Sequence, residues 1–213
     1  MLSPFENRAK AGRRLAELLT AYRESDAVVI GIAKAGILVA AEAAKELRLP
    51  WGFIVTRRLP VPSSPKTDFG AIASDGTMAL NHEILRGMGG LSKAQIDSIA
   101  KEVAAKASIQ ADTYSQARHS PEMMNRPVIV VDDGLASGYT TLAAIKSLRL
   151  HNPSRVIAAA PVSSRSAAAM IEEAADECVF EIISPSVPFA ISHFYVLYRA
   201  LTDEDILPTL KSE

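Results

Sequence analysis

The residues best suited to chemistry are two adjacent acids, Asp132 and Asp133, which follow an apolar run at residues 128–131. A continuous apolar run bounded by turn residues is typical of a strand that is buried on both faces of a parallel sheet. Such strands present ligands at their carboxyl ends. We therefore expect both carboxylates to lie at a strand end, facing a ligand, rather than in the core.

The turn after the two acids predicts an anion site. Its residues are Gly134, Leu135, Ala136, Ser137, Gly138, Tyr139, Thr140 and Thr141. Small residues let backbone N–H groups converge, the hydroxyls add donors, and a helix predicted to begin at about Thr140 directs its positive end to the same point. A phosphate fits this turn, but the two acids would repel it. They instead need a diol that donates hydrogen bonds, or a hard cation such as Mg²⁺. Ribose 5-phosphate has both parts.

This stretch resembles the phosphoribosyl-pyrophosphate motif of the type I phosphoribosyltransferases, in which a hydrophobic strand leads into two acids and a hydroxyl-rich loop with a fixed glycine. The alternative is an ordinary strand-to-helix turn with an aspartate N-cap, which would need neither the second acid nor so many hydroxyls. The sequence contains no Walker A pattern and no G-x-G-x-x-G pattern, which excludes those two phosphate loops.

The resemblance implies a transferase that moves ribose 5-phosphate from phosphoribosyl pyrophosphate to a nitrogenous base and releases pyrophosphate. Asp132 and Asp133 would hold the ribose hydroxyls and Mg²⁺, and residues 134–141 would bind the 5-phosphate. The similarity is greatest to a group of free-standing, largely uncharacterised bacterial and archaeal members, and it extends from residues 5–12 through 70–73 to 188–189. The alternative function is a non-catalytic sensor that binds phosphoribosyl pyrophosphate.

The resemblance also implies a pyrophosphate loop at the end of the first predicted strand. Here it reads Ala33, Lys34, Ala35 and Gly36. Family members often have a non-proline cis peptide in this loop, which by position would join Ala33 to Lys34. The similar group reads Pro-Arg-Gly-Gly, so Ala33 and Ala35 depart from its pattern. Without the resemblance, a lone lysine between a strand and a helix is usually a solvated loop residue.

A basic pair, Arg57 and Arg58, follows the second predicted strand. Two guanidinium groups can bind a diphosphate and stabilise charge on a leaving group, so we assign the pair to catalysis; a solvated basic turn is the alternative. Ser163 and Phe189 are weaker candidates for contact with the base and are equally readable as loop and core filler. Family members specific for 6-oxopurines usually place an aspartate where Ala136 stands, which argues against those acceptors.

Length and composition indicate one domain of 213 residues, with 48% hydrophobic residues, a net charge of −1 and a pI of about 6.4. This balance favours neither nucleic acid nor a membrane as partner. The single cysteine, Cys178, excludes an intramolecular disulfide and fits a reducing compartment. No signal peptide or membrane span is recognisable, so we expect a cytoplasmic protein, and we also expect a homodimer.

The elements that position these residues alternate between strands and helices. They predict an α/β, doubly wound, mainly parallel five-stranded sheet with helices on both faces. A first helix should begin with Ser3 as its cap and Pro4 in its first turn. Residues 57–69 are proline-rich and predicted to form an exposed flexible loop, from which a hairpin at 70–80 grows. Residues 184–213 should form a small hood with the N-terminal segment.

Overall fold

The structure is a computed structural model that describes residues 4–87 and 91–212, with the side chains of Pro65 and Lys66 outside the description. In these ranges the helices are α1 (Arg8–Leu18), α2 (Ala35–Leu47), α3 (His82–Gly87), α4 (Lys93–Ser115), α5 (Tyr139–Arg149), α6 (Arg165–Glu172) and α7 (Asp203–Lys211). The strands are β1 (Val28–Ile32), β2 (Trp51–Ile54), β3 (Thr56–Val61), β4 (Ser64–Ala73), β5 (Met78–Leu80), β6 (Pro127–Val131), β7 (Arg155–Ser164) and β8 (Glu177–Ser184). Short 3-10 turns lie at Thr20–Tyr22 and Ile191–Phe194.

Five of the described strands form a parallel sheet in the order β2-β1-β6-β7-β8, which confirms the predicted fold class. The chain leaves β1 toward β2 on one side and returns as β6 on the other, so the strand order reverses between β1 and β6. Gly31 pairs with Val131 at this point. In open α/β sheets, ligands bind outside the carboxyl ends of the strands at such a switch point. The loops after Ile32 and Val131 therefore meet where a ligand is expected.

Alternate residues of the central strands pack on opposite faces of the sheet, as the period of two in a strand requires. Val29 and Ile129 belong to a core cluster with residues of α1, α2 and α7. Val28 and Val130 belong to a second cluster with residues of α5 and α6. Helices thus cover both faces, which explains why the strands carry continuous apolar runs.

The prediction of an irregular loop at residues 57–69 is wrong. This segment forms β3 and most of β4, which pair antiparallel and continue to β5 as a second, three-stranded sheet. Leu59, Val61 and Phe69 are at most 2% exposed and pack against α4, and this burial is what orders the segment. Pro60 is accommodated because the pairing of β3 with β4 is irregular there.

The prediction for the start of α1 is also wrong. The helix begins at Arg8, and the side chain of Asn7 caps it by accepting a hydrogen bond from the Lys10 amide at 2.9 Å. Ser3 lies outside the described residues. Phe5 instead forms an isolated bridge with Tyr195, which joins the N-terminal segment to the hood. The helix α4 begins with a capping box, in which Ser92 and Gln95 exchange side-chain and backbone hydrogen bonds.

The tail after β8 contains the helix α7, which the sequence reasoning missed. Its Ile206 and Leu210 are buried in the cluster on the α2 face. Among the described residues, no helix has the length and apolar character needed to cross a membrane.

Candidate functional site

The loop after β1 touches the end of β6 at the switch point. A Cβ atom on Gly36 would lie 2.6 Å from the carbonyl oxygen of Val131 and 2.9 Å from the Cα atom of Asp132, so this close approach requires glycine. The peptide between Ala33 and Lys34 is cis, at the position that the resemblance indicated. The predicted pyrophosphate loop and the acidic pair are therefore neighbours.

The two acids have different surroundings. Asp132 is partly exposed, and its Oδ1 atom accepts a hydrogen bond from the Asp133 amide at 2.8 Å. Asp133 is 5% exposed and its Oδ2 atom lies 2.9 Å from Nε of Arg8 in a buried ion pair. The hydroxyl of Tyr195 donates to the Asp133 carbonyl oxygen at 2.6 Å. The expectation that both acids lie outside the core is thus wrong for Asp133.

These surroundings affect the charge of the pair. Although Asp132 is partly exposed, the surrounding protein removes much of the water from its carboxyl group. This desolvation, followed by the negative charge of Asp133, raises the pKa of Asp132 well above its usual range. Burial also raises the pKa of Asp133, and the charge and hydrogen bond of Arg8 oppose that rise. Asp132 is therefore the acid that gains most from a cation or from hydroxyl donors.

The predicted 5-phosphate loop is attached to the end of β7. The Leu135 amide donates to Val162 at 2.9 Å and the Ser164 hydroxyl donates to the Ala136 carbonyl at 2.7 Å. Gly138 precedes α5 with φ of +79°, a conformation that favours glycine, and α5 begins at Tyr139, one residue before the expected start. Ala136 and Ser137 are exposed, so this side of the loop is open to a ligand.

A pocket of about 500 Å³ joins the basic residues of both predicted sites. We call it the cationic pocket; its walls include Lys34, Arg57, Arg58, Asp68, Lys106 and Thr140. Asp68 pairs with Arg58 across the hairpin at 3.2 Å. The Nε atom of Arg57 and the hydroxyl of Thr56 are buried and have no hydrogen-bond partner among the described residues. Buried donors without partners are costly, so an anion that reached them would be stabilised.

The two candidates for contact with the base lie in different environments. Phe189 lines a second pocket, of about 700 Å³, together with Ala136 and Ser137 of the phosphate loop. Its ring also lies 5.6 Å from that of Phe194. Ser163 is 0% exposed, and its hydroxyl donates to the carbonyl oxygen of Ser164 at 3.0 Å.

The sequence reasoning missed several residues of this region, namely Arg8, Lys106, Asp203 and Tyr195. Arg8 and Asp133 are 125 positions apart, and no local pattern marks a pair at that separation. Lys106 lies on α4 and forms an i,i+4 pair with Glu102, which from sequence alone is typical of a solvated helix face.

An open α/β sheet with an acidic pair, a glycine-containing loop and basic residues at its switch point defines a protein of the phosphoribosyltransferase-like class. A family model described as the phosphoribosyl transferase domain matches residues 2–199. The chain therefore belongs to this family, as the sequence motif indicated.

Curated relatives agree with this assignment. Two proteins of Mycobacterium tuberculosis, from strains CDC 1551 / Oshkosh and ATCC 25618 / H37Rv, are each named a "putative phosphoribosyl transferase" and are 32% identical over 206 residues. The match covers 97% of this chain and 46% of each relative, so the chain spans about half the length of those proteins.

Solved structures show the same fold. The crystal structure of TT1426 from Thermus thermophilus is similar with a TM-score of 0.79 and 28% identity, covering 97% of both chains. The structure of AQ2163 from Aquifex aeolicus is similar with a TM-score of 0.51 and 14% identity, over 83% of this chain and 74% of that one, and shows the fold alone.

Proposed function

We propose that the protein transfers the 5-phosphoribosyl group of phosphoribosyl pyrophosphate to a nitrogen of a base. The bond between the anomeric carbon and the pyrophosphate oxygen breaks, and pyrophosphate leaves with the bonding electron pair. The nitrogen of the base supplies the electron pair of the new carbon–nitrogen bond and releases its proton to pyrophosphate or solvent. The observation that carries the proposal is the cationic pocket, which joins Lys34, Arg57 and Arg58 to Thr140 at the switch point of the sheet.

The leaving group would bind in the cationic pocket. Guanidinium groups bind phosphate oxygens through paired N–H donors, and such donors stabilise charge that develops as the bond breaks. Arg57 supports this role because its Nε atom is buried without a partner among the described residues. Arg58 and Lys34 would add charge from the neighbouring walls.

The sugar would lie between the two loops. Residues 134–141 would hold the 5-phosphate through backbone amides and hydroxyls. Asp132 would accept hydrogen bonds from the ribose hydroxyls and favour the positive charge that develops on the ring. Asp133 would contribute mainly as the anchor that Arg8 and Tyr195 hold in place.

Magnesium fits this site as an ion held mainly by the substrate. No group of three or more His, Cys, Asp or Glu side chains within residues 4–87 and 91–212 could hold a metal. Magnesium usually binds one or two carboxylates together with substrate phosphates and water. Asp132 would supply the carboxylate, since Oδ2 of Asp133 is bonded to Arg8. When bound, the ion neutralises charge on the diphosphate.

The acceptor would bind beside Phe189, whose ring lines the pocket next to the phosphate loop. Family members specific for 6-oxopurines usually have an aspartate at this position, and Ala136 has no carboxylate. We therefore propose an acceptor other than a 6-oxopurine. The test is a panel of bases incubated with the protein, phosphoribosyl pyrophosphate and Mg²⁺, with pyrophosphate release as the readout. Arg57→Ala should abolish the release of pyrophosphate. Arg23→Ala should not, because Arg23 is exposed and does not line the pocket.

One observation favours a second candidate, the non-catalytic sensor. The buried ion pair of Arg8 with Asp133 engages one of the two acids that the motif would otherwise offer to the sugar. A sensor needs binding but no turnover. Tight binding of phosphoribosyl pyrophosphate, with no pyrophosphate release from any base in the panel, would favour the sensor over the transferase.

A further inference from the structure

The helix α7 brings an acid to the cationic site from outside the sheet. Ile206 and Leu210 anchor the helix in the core. The guanidinium of Arg118 donates to the carbonyl oxygens of Leu210, at 3.1 Å, and Ser212 at the other end of the helix. These contacts fix α7, so that Asp203 in its first turn is held at a defined position.

The carboxylate of Asp203 is the centre of a hydrogen-bond network. Its Oδ1 atom accepts hydrogen bonds from the Tyr114 hydroxyl at 2.5 Å and from the Gln110 amide at 2.7 Å, and the Lys34 ammonium lies 3.4 Å away. Burial opposes ionisation, but these partners outweigh it and lower the pKa of Asp203. The acid is therefore charged at neutral pH.

Gln110 links this acid to Arg57. Its Nε2 atom donates to Asp203 and also to the Tyr114 hydroxyl at 2.9 Å, so both amide hydrogens have acceptors. The Oε1 atom consequently faces Arg57 and accepts a hydrogen bond from Nη2 at 2.9 Å. Without Asp203 the amide could turn and present donors to a guanidinium, which has donors only.

The guanidinium group of Arg57 thus has one nitrogen that is fixed by a hydrogen bond and another whose hydrogen is available to a ligand. Nη2 is bonded to Gln110, whereas Nε is buried without a partner among the described residues. A side chain that is already oriented loses less rotamer freedom when an anion binds. Arg57 also lies between the cationic pocket and a smaller one that Gln110 and Asp203 line, so the network borders the site directly.

We propose that Asp203 is a positioning residue of the diphosphate site, which holds Lys34 directly and Arg57 through Gln110 in the arrangement that binds pyrophosphate. The inference rests on the proposed function, because it takes Lys34 and Arg57 as diphosphate ligands. The inference gives α7 a part in binding the leaving group, although this helix comes after all the strands of the sheet in the sequence.

The test measures the affinity of the full chain for inorganic pyrophosphate at fixed Mg²⁺ by calorimetry. Asp203→Ala is compared with Glu204→Ala, which removes the same charge from an exposed neighbour in the same turn of α7. We expect Asp203→Ala to bind pyrophosphate about tenfold more weakly than Glu204→Ala, the order expected for one charge-assisted hydrogen bond. Gln110→Met should lower the affinity for pyrophosphate by a similar factor. This variant is used in place of Asp203→Ala if Asp203→Ala does not fold.

A second arm asks whether Asp203 acts through Arg57. In an Arg57→Ala background, Asp203→Ala should cost clearly less affinity than in the wild-type chain, whereas a merely structural effect would cost the same.

Equal affinities of Asp203→Ala and Glu204→Ala for pyrophosphate would overturn the inference. Tighter binding by Asp203→Ala would also overturn it, since the acid would then compete with pyrophosphate. Failure of the wild-type chain to bind pyrophosphate would instead overturn the proposed function.

Discussion

Nε of Arg8 lies 2.9 Å from Oδ2 of Asp133, and both side chains are only 7% exposed. The first residue of α1 is thus paired with the second acid of the motif at the end of β6. The same guanidinium lies 4.5 Å from the ring centre of Tyr198, in the tail after β8. The acidic motif is therefore held by both the N-terminal helix and the C-terminal segment, which the fold brings together over the switch point.

Loss of Arg8 should destabilise the whole protein. In Arg8→Met the carboxylate of Asp133 would remain buried without its cation, which costs about 3–5 kcal/mol. Arg13→Met is the matched control, because Arg13 pairs with Glu42 at the same 2.9 Å distance but its side chain is 45% exposed. That control should lose at most about 1 kcal/mol. Urea unfolding of the two variants checks the difference, and equal losses would show that the buried pair has no special role.

Asp132→Asn should make the protein more stable at neutral pH and a weaker binder of phosphoribosyl pyrophosphate. Burial and the charge of Asp133 raise the pKa of Asp132 in the folded state, so the ionised carboxylate destabilises the fold above that pKa. The penalty disappears as the pH falls below the unfolded value of about 4. The gain in melting temperature, about 2–4 °C per kcal/mol for this length, should therefore be present at pH 8 and vanish near pH 4. A variant that melts earlier at pH 8 would contradict this reasoning.

The close approach of the two loops gives a third prediction. In Gly36→Ala the new methyl group would meet backbone atoms of Val131 and Asp132 within 3 Å, so the loop must move away from the end of β6. We expect a loss of about 1–3 kcal/mol and weaker anion binding. Gly87→Ala in α3 is the control, since no atom of the described residues lies within 4 Å of its added Cβ. Thermal melts and pyrophosphate titrations that do not distinguish the two variants would refute the role of this contact.

A crystal grown in sulfate should contain an anion bound by the backbone amides of residues 136–140. The exposed loop ends at the start of α5, where free N–H groups and the helix dipole favour negative charge. Ser137→Ala should keep the anion, because the amides supply most of its donors. Amides that point away from a common centre, with no anion at high sulfate concentration, would contradict the assignment of this loop.

The sequence predicted the parts of the site that follow directly from local patterns. The strand β6, its acids and the turn to α5 are consecutive residues, and the cis peptide position came from the family resemblance. The hairpin β3–β4 was mistaken for a loop because prolines obscure its alternation, and burial against α4 decides its structure. The helix α7 was missed because Pro208 lies inside it and only Ile206 and Leu210 are buried.

The long-range pairs could not have been predicted in this way. Arg8 and Asp133 are 125 positions apart, and Gln110 and Asp203 are 93 positions apart. Each contact depends on how the terminal segments fold over the sheet. Charged and amide side chains are common along any protein chain, so neither pairing carries a local signal.

Binding of phosphoribosyl pyrophosphate with its diphosphate in the cationic pocket is tested most directly by comparing two ligands on one variant. Calorimetry at fixed Mg²⁺ should show that Arg57→Ala weakens the binding of phosphoribosyl pyrophosphate at least about tenfold, because the substitution removes a charge-assisted contact to the diphosphate. The affinity for ribose 5-phosphate, which lacks the diphosphate, should be unchanged. An equal loss for both ligands, or no loss for either, would contradict the placement of the diphosphate beside Arg57.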